Sequence, residues 1–150
     1  MIAYLVFALM GPMINVGPDL AEPEPMPFVL EDGKAIIEGC EDWNEPDWSE
    51  FLSKHAPSPL ARGEHQYLNA DGTRVDIFNS VYSIEVEHSS KWKEAIGQAL
   101  FYATINNNSP AIILLVKPNT NFKLDYLRLT LVANKYDIQV WVVDPKDHYK

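Results

Sequence analysis

Asp76, Glu85 and Glu87 fall within one stretch, residues 74–102 (RVDIFNSVYSIEVEHSSKWKEAIGQALFY), whose residue types and spacing suit hard-cation chemistry. If Asn79 to Tyr82 form a four-residue hairpin loop, Phe78 meets Ser83, Ile77 meets Ile84 and Asp76 meets Glu85. Two carboxylates then face each other with Cβ atoms about 5 Å apart, which destabilises a strand pair unless something positive lies between them. A divalent ion removes the conflict. Mg²⁺, with Mn²⁺ as a substitute, prefers hard oxygen ligands of this kind. Glu87 points to the same face as Glu85 by the two-residue period of a strand, as a third ligand or a base. His88 beside it is either a proton carrier near neutral pH or a solvated side chain without a role.

The helix that follows carries a second signal. Lys91, Glu94, Gln98 and Tyr102 recur at steps of three, four and four and so share one face, while Trp92, Ala95, Ala99 and Ala103 cover others. A polar stripe needs a polar neighbour. Lys91 and Lys93 stand in the expected first turn, where the helix dipole disfavours cations unless they meet carboxylates or a phosphate. A surface hairpin with scattered acids and a helix with a solvated face would account for the same residues without any chemistry.

The elements that must position these residues follow from periodicity. Residues 64–69 form a strand ended by Asp71-Gly72, and Arg74–Phe78 and Ser83–Glu87 form two more. Lys91–Thr104 is a helix with Ser90 as its N-cap. AIILLVK after Pro110 reads as a strand buried on both faces. Phe122–Tyr136 is an amphipathic helix that buries Leu124, Leu127, Leu131 and Ala133, and IQVWVVD is a closing strand. Strands interleaved with helices predict an α/β sandwich with a mixed central sheet.

The order Asp76, then Glu85-x-Glu87, then a helix bearing Gln98-x-x-x-Tyr102 resembles the PD-(D/E)XK nuclease superfamily, in particular its branch with a Gln-x-x-x-Tyr helix. The resemblance covers about residues 63 to 117 and extends to small exported bacterial members. It implies a restriction-endonuclease-like α/β sandwich, a sheet flanked by helices, that hydrolyses phosphodiesters with an Mg²⁺-activated water. By this resemblance Asp76 and Glu85 are metal ligands, Gln98 orients the nucleophile or phosphate, and Tyr102 supports it. Glu64, before the first strand, matches an additional upstream acid. The sequence departs at Glu87, where the superfamily has lysine. Lys91 at the helix start then takes that role, with Lys93 and His88 nearby. The implied partner is nucleic acid, DNA in preference to RNA. Without a lysine at the site, a nucleic-acid-binding or protein-interaction module on the same fold is the alternative.

Charge organises the rest of the 150 residues. Residues 1–59 hold eleven acids and two bases, whereas 60–150 hold ten of each, so the whole net charge of −9 belongs to the N-terminal part. The core's field is not set by the overall acidity. Residues 1–16 (MIAYLVFALMGPMINV) carry no charged side chain, which fits a signal peptide of an exported or periplasmic protein, an uncleaved anchor, or a buried segment of a cytoplasmic one. No stable membrane insertion is expected beyond such a segment, because the run is short of a span. Residues 17–59 are an acidic, Pro-rich lead-in: a linker over 17–30, then one short helix in DWSEFLSKH capped by Asp47, with Trp48, Phe51 and Leu52 as its apolar edge. The lead-in either packs on the core or offers an acidic surface to a protein partner. Residues 60–150 make the nuclease-like core. One cysteine excludes an internal disulfide framework and a cysteine zinc site. No glycine-rich phosphate loop and no Gly-x-Ser-x-Gly elbow is present.

Overall fold

The computed structural model describes residues 28–31, 34–37, 40–56, 58–117 and 121–147. The apolar segment 1–16 and most of the lead-in before residue 40 lie outside the described residues. Within the lead-in, β1 (Phe28–Glu31) and β2 (Lys34–Ile37) form an antiparallel hairpin, so the linker expected over 17–30 ends before Phe28. Helix α1 (Glu45–His55) follows. Then come β3 (Glu64–Leu68), β4 (Arg74–Phe78), β5 (Tyr82–His88), α2 (Trp92–Asn106), β6 (Ser109–Leu115), α3 (Phe122–Lys135) and β7 (Gln139–Val143).

Strands β3 to β7 make one five-stranded mixed sheet in chain order. The β3–β4 and β4–β5 pairs are antiparallel hairpins, and β5–β6 and β6–β7 are parallel, each bridged by a helix. The expected α/β sandwich is present as this mixed sheet with helices on both faces. The Asp71-Gly72 turn closes the first hairpin with Gly72 at φ +88°, a conformation open to glycine without strain. Among the described residues no helix is long and apolar enough to cross a membrane.

Alternation along β6 divides the core. Ala111, Ile113 and Leu115 pack with α1, while Ile112 and Leu114 pack with α2 and α3. On the first face α1 supplies Trp48, Phe51 and Leu52, so a helix from the acidic lead-in is part of the core. Trp48 meets Trp43 edge-on at 5.1 Å and Phe51 at 6.2 Å, favourable aromatic geometry. On the second face Ala95, Ala99 and Ala103 recur every four residues along α2, small side chains that let the helix axis approach the sheet.

Three local expectations are corrected. Helix α1 is capped by Asn44, not Asp47. Asn44 Oδ1 accepts from the Asp47 N–H at 3.2 Å, and the Asn44 N–H donates to Asp47 Oδ2 at 2.9 Å, a reciprocal box that moves the cap three residues earlier. Ser90 does not cap α2. A 3₁₀ turn over Ser89–Lys91 precedes the helix and puts Lys91 at the cap position without a side-chain cap bond. In α3, Leu124, Leu127 and Leu131 are 37%, 56% and 66% exposed, whereas Leu129 and Ala133 are buried. The helix has two apolar stripes. The one ending in small Ala133 seats more closely on the sheet, which turns the leucine stripe outward.

The aromatic layer sets a stability test. Trp48→Ala should lower stability by about 3–5 kcal/mol, the scale for a buried large aromatic. Urea unfolding should show a reduced midpoint with an unchanged slope, and a midpoint within experimental error of the parent would contradict this packing.

Candidate functional site

Ile77 of β4 and Ile84 and Val86 of β5 belong to the α1-side core, so Asp76, Ser83, Glu85 and Glu87 take the opposite, α2-side face. Central strand β5 is buried along Ser83–Glu87, yet three of those five side chains are polar. Glu85 is 5% exposed and Glu87 3%. Carboxylates this deep are rare unless paired.

The β4–β5 ladder has the expected register, Ile77 with Ile84 and Phe78 with Ser83, and stops there. Beyond it Asp76 is not a ladder partner of Glu85. Its carboxylate turns to the β5 backbone instead, Oδ2 accepting from the Val86 N–H at 2.9 Å. Oδ1 accepts from Gln66 Nε2 on β3, also at 2.9 Å. The Glu85 carboxyl comes within hydrogen-bonding reach of Asp76. Its Oε2 is buried without a hydrogen-bond partner.

Burial and mutual repulsion push these acids up. Glu85 rises to about 9, first through burial and then through the charges of Asp76, Glu87 and Glu45. Asp76 is raised by burial, against which the Val86 N–H and Gln66 work in the opposite direction. Glu87 rises to about 7, by burial and by side-chain contact with Glu45, while the His88 N–H and the Lys91 charge act against the rise. At neutral pH and without a cation, the Glu85 carboxyl keeps its proton beside the Asp76 carboxylate.

Lys91 is the cation gathered to this face. Its ammonium lies 3.4 Å from Glu87 Oε2 and 3.7 Å from Glu45 Oε2, and its side chain is half-exposed. Glu87 Oε1 accepts from the His88 N–H at 2.8 Å. The side chain of His88 is half-buried, which holds its pKa below the usual value, and its Nδ1 is buried without a hydrogen-bond partner. On α2, Gln98 stands one turn before Tyr102, and Tyr102 is buried and raised by burial and by the nearby Glu85 charge, so this half of the polar stripe lines the acids. Glu94 and Lys93 are exposed, Lys93 lying 5.5 Å over the Trp92 ring. Glu64 is exposed at the start of β3.

Two participants are absent from the sequence reading. Glu45 in the first turn of α1, rather than Glu64, is the upstream acid that reaches Glu87 and Lys91. Nothing local announces it, because it joins the site only when α1 docks. Gln66 was available: extending the hairpin argument across the Asp71-Gly72 turn places it opposite Asp76, between the pairs His65–Ile77 and Tyr67–Val75.

The other end of the same face shows what a structural polar layer looks like here. Asn106 Nδ2 donates to Asn69 Oδ1 at 2.9 Å and to Ser83 Oγ at 3.1 Å, Ser83 donates to Asn108 Oδ1 at 2.9 Å, and Asn69 donates to Thr73 at 3.0 Å. That end is neutral and connected, whereas the Asp76–Glu85 end is acidic and short of donors. Among the described residues no group of three or more His, Cys, Asp or Glu side chains is arranged to ligate one ion. Asp76 and Glu85 form a two-carboxylate set, with Glu87 engaged by Lys91. Mg²⁺ commonly takes only one or two protein carboxylates and completes its shell with water and phosphate oxygens, so the pair suits it.

Fold and site together define a mixed α/β protein with a carboxylate cluster on its central strand. No protein-family profile, curated protein or solved structure matches the chain.

The raised acids carry a pH signature. Glu85 titrates at 4.5 when unfolded and at about 9 when folded. Between these values the unfolded chain has released a proton that the folded chain keeps, so metal-free stability falls as pH rises from about 4.5 to 9. Glu85→Gln should flatten this fall and exceed the parent by ~1 kcal/mol or more at pH 8, measured by denaturant unfolding in EDTA. Parallel pH profiles for the two proteins would contradict the protonated, buried Glu85 carboxyl.

Proposed function

We propose that this protein hydrolyses phosphodiester bonds of nucleic acid with Mg²⁺ held at Asp76 and Glu85, on a restriction-endonuclease-like form of its α/β sandwich. The observation that carries the reading is the acid pair itself: the buried Glu85 carboxyl, with an oxygen lacking any hydrogen-bond partner, beside the half-buried Asp76, at the donor-poor end of an otherwise satisfied polar face. A hard cation is the partner this chemistry lacks. The order Asp76, Glu85, then Gln98 and Tyr102 on the adjacent helix agrees with the nuclease resemblance, as does the mixed sheet with helices on both faces.

When bound, Mg²⁺ supplies Lewis-acid polarisation of a phosphoryl oxygen and water of lowered pKa. The chain's own residues do the rest. Asp76 and Glu85 bind the ion as carboxylates, which requires Glu85 to give up the proton it holds in the ion's absence, so ion binding strengthens as pH rises toward 9. Lys91 has a half-exposed stem and can turn its ammonium from Glu87 and Glu45 to an incoming phosphate, where it would stabilise developing negative charge. Gln98, one turn from Tyr102 on α2, orients polar atoms of substrate or water along the α2 wall. DNA is the first substrate class to test, with RNA second.

A second reading has its own observation. Lys91 already contacts two carboxylates, and if it stays with them it cannot serve the transition state. The same face would then bind nucleic acid without cutting it.

Purified protein should degrade DNA in Mg²⁺ or Mn²⁺ but not in EDTA. Asp76→Asn and Glu85→Gln should each reduce the rate by ~100-fold or more, the scale on which loss of one stabilising group acts. Full activity in both variants would remove the assignment. Binding without cleavage, with the salt slope reduced by about one in Lys91→Ala, would favour the second reading.

A further inference from the structure

We propose that Gln66 is a positioning residue that holds the Asp76 carboxylate in the orientation a divalent ion requires, an inference resting on the metal-site reading above. The β3–β4 ladder runs in one register on both sides of Gln66, pairing His65 with Ile77 and Tyr67 with Val75. Gln66 and Asp76 face each other between those pairs but are not a ladder pair themselves. Gln66 instead has φ +54°, the left-handed region, in the middle of a strand. A residue with a Cβ enters that region at a steric cost and stays there only where its surroundings over-determine it.

The contacts show what holds it. Freed from the ladder, the Gln66 carbonyl accepts from Arg74 Nη1 at 3.2 Å. The side-chain amide donates to Asp76 Oδ1 at 2.9 Å. With the Val86 N–H on Oδ2, each Asp76 oxygen has one donor, one from each flanking strand, and the carboxylate plane is fixed between them. An amide suits this role better than a cation. It donates a hydrogen bond without adding a charge that would compete with the ion, and it occupies only one lone pair of Oδ1. An aliphatic residue with ordinary strand geometry would have served the sheet alone.

The closing experiment separates positioning from packing. Gln66→Gly removes the amide and also the backbone strain, so its melting temperature should match or exceed the parent's. Its Mn²⁺ affinity, measured by titration calorimetry on the unsubstituted full chain and the variant, should fall about 10-fold or more, as for loss of an outer-shell partner. Gln66→Leu, which keeps side-chain bulk, should show the same loss and covers the case in which glycine loosens the hairpin. In cleavage assays the metal concentration for half-maximal rate should rise while the rate at saturating metal changes little. Variants that melt lower yet bind Mn²⁺ like the parent would overturn the inference and leave the metal site standing. A parent that binds no Mn²⁺ would overturn both.

Discussion

The burial of the Glu85 carboxyl beside the half-buried Asp76 is the constraint from which the rest of this molecule's organisation follows. Two neighbouring carboxyls on adjacent strands cannot both ionise without a counter-charge, and Glu85 therefore retains a proton well above the ordinary range. A sheet selected for stability alone would place apolar residues here, as β6 does with Ile112 and Leu114 on the same face. The chain accepts the unfavourable pair and surrounds it with groups that each deal with part of it. Val86 and Gln66 donate to Asp76, Lys91 neutralises Glu87, and Glu45 shares Lys91 from the α1 side.

The two faces of the sheet divide the work of stability and chemistry. Trp48, Phe51 and Leu52 fasten α1 under β4 and β5 with Ile77, Ile84 and Val86, a dry layer that fixes the backbone from which the acids project on the other side. Ala95, Ala99 and Ala103 bring α2 close enough for Tyr102 to sense the Glu85 charge. At the far end the amide and hydroxyl chain from Thr73 through Asn69, Asn106 and Ser83 to Asn108 ties the first hairpin to the end of α2. Gln66, left-handed in the middle of β3, is one of three non-glycine residues at positive φ among the described residues, beside Asn107 and Asp137.

What could be read in the sequence was what depends on short-range geometry. The turn at Asn79–Tyr82 fixed the β4–β5 register, and the period of two put Asp76, Glu85 and Glu87 on one face. The helical period likewise brought Gln98 and Tyr102 together. What escaped depends on how elements dock or how the backbone departs from ideal geometry. Glu45 reaches the acids because of where α1 rests, which no local pattern encodes. The hydrogen bond that the Val86 N–H donates to the Asp76 carboxylate replaces the ladder pair with Glu85 that ideal pleating implies. In α3 the expected stripe was Leu124, Leu127, Leu131 and Ala133, yet of these only Ala133 is buried, together with Leu129, and the three leucines face outward, an outcome of how the helix docks on the sheet.

The most direct measurement is anomalous diffraction at the manganese edge from crystals of the protein grown with Mn²⁺ at pH 8. One peak should lie roughly 2.0 to 2.3 Å from oxygens of both Asp76 and Glu85, with the contact between the two carboxyls opened around it. Well-ordered crystals in which Asp76 and Glu85 remain in direct contact, and the peak is missing or lies on other residues, would contradict the account.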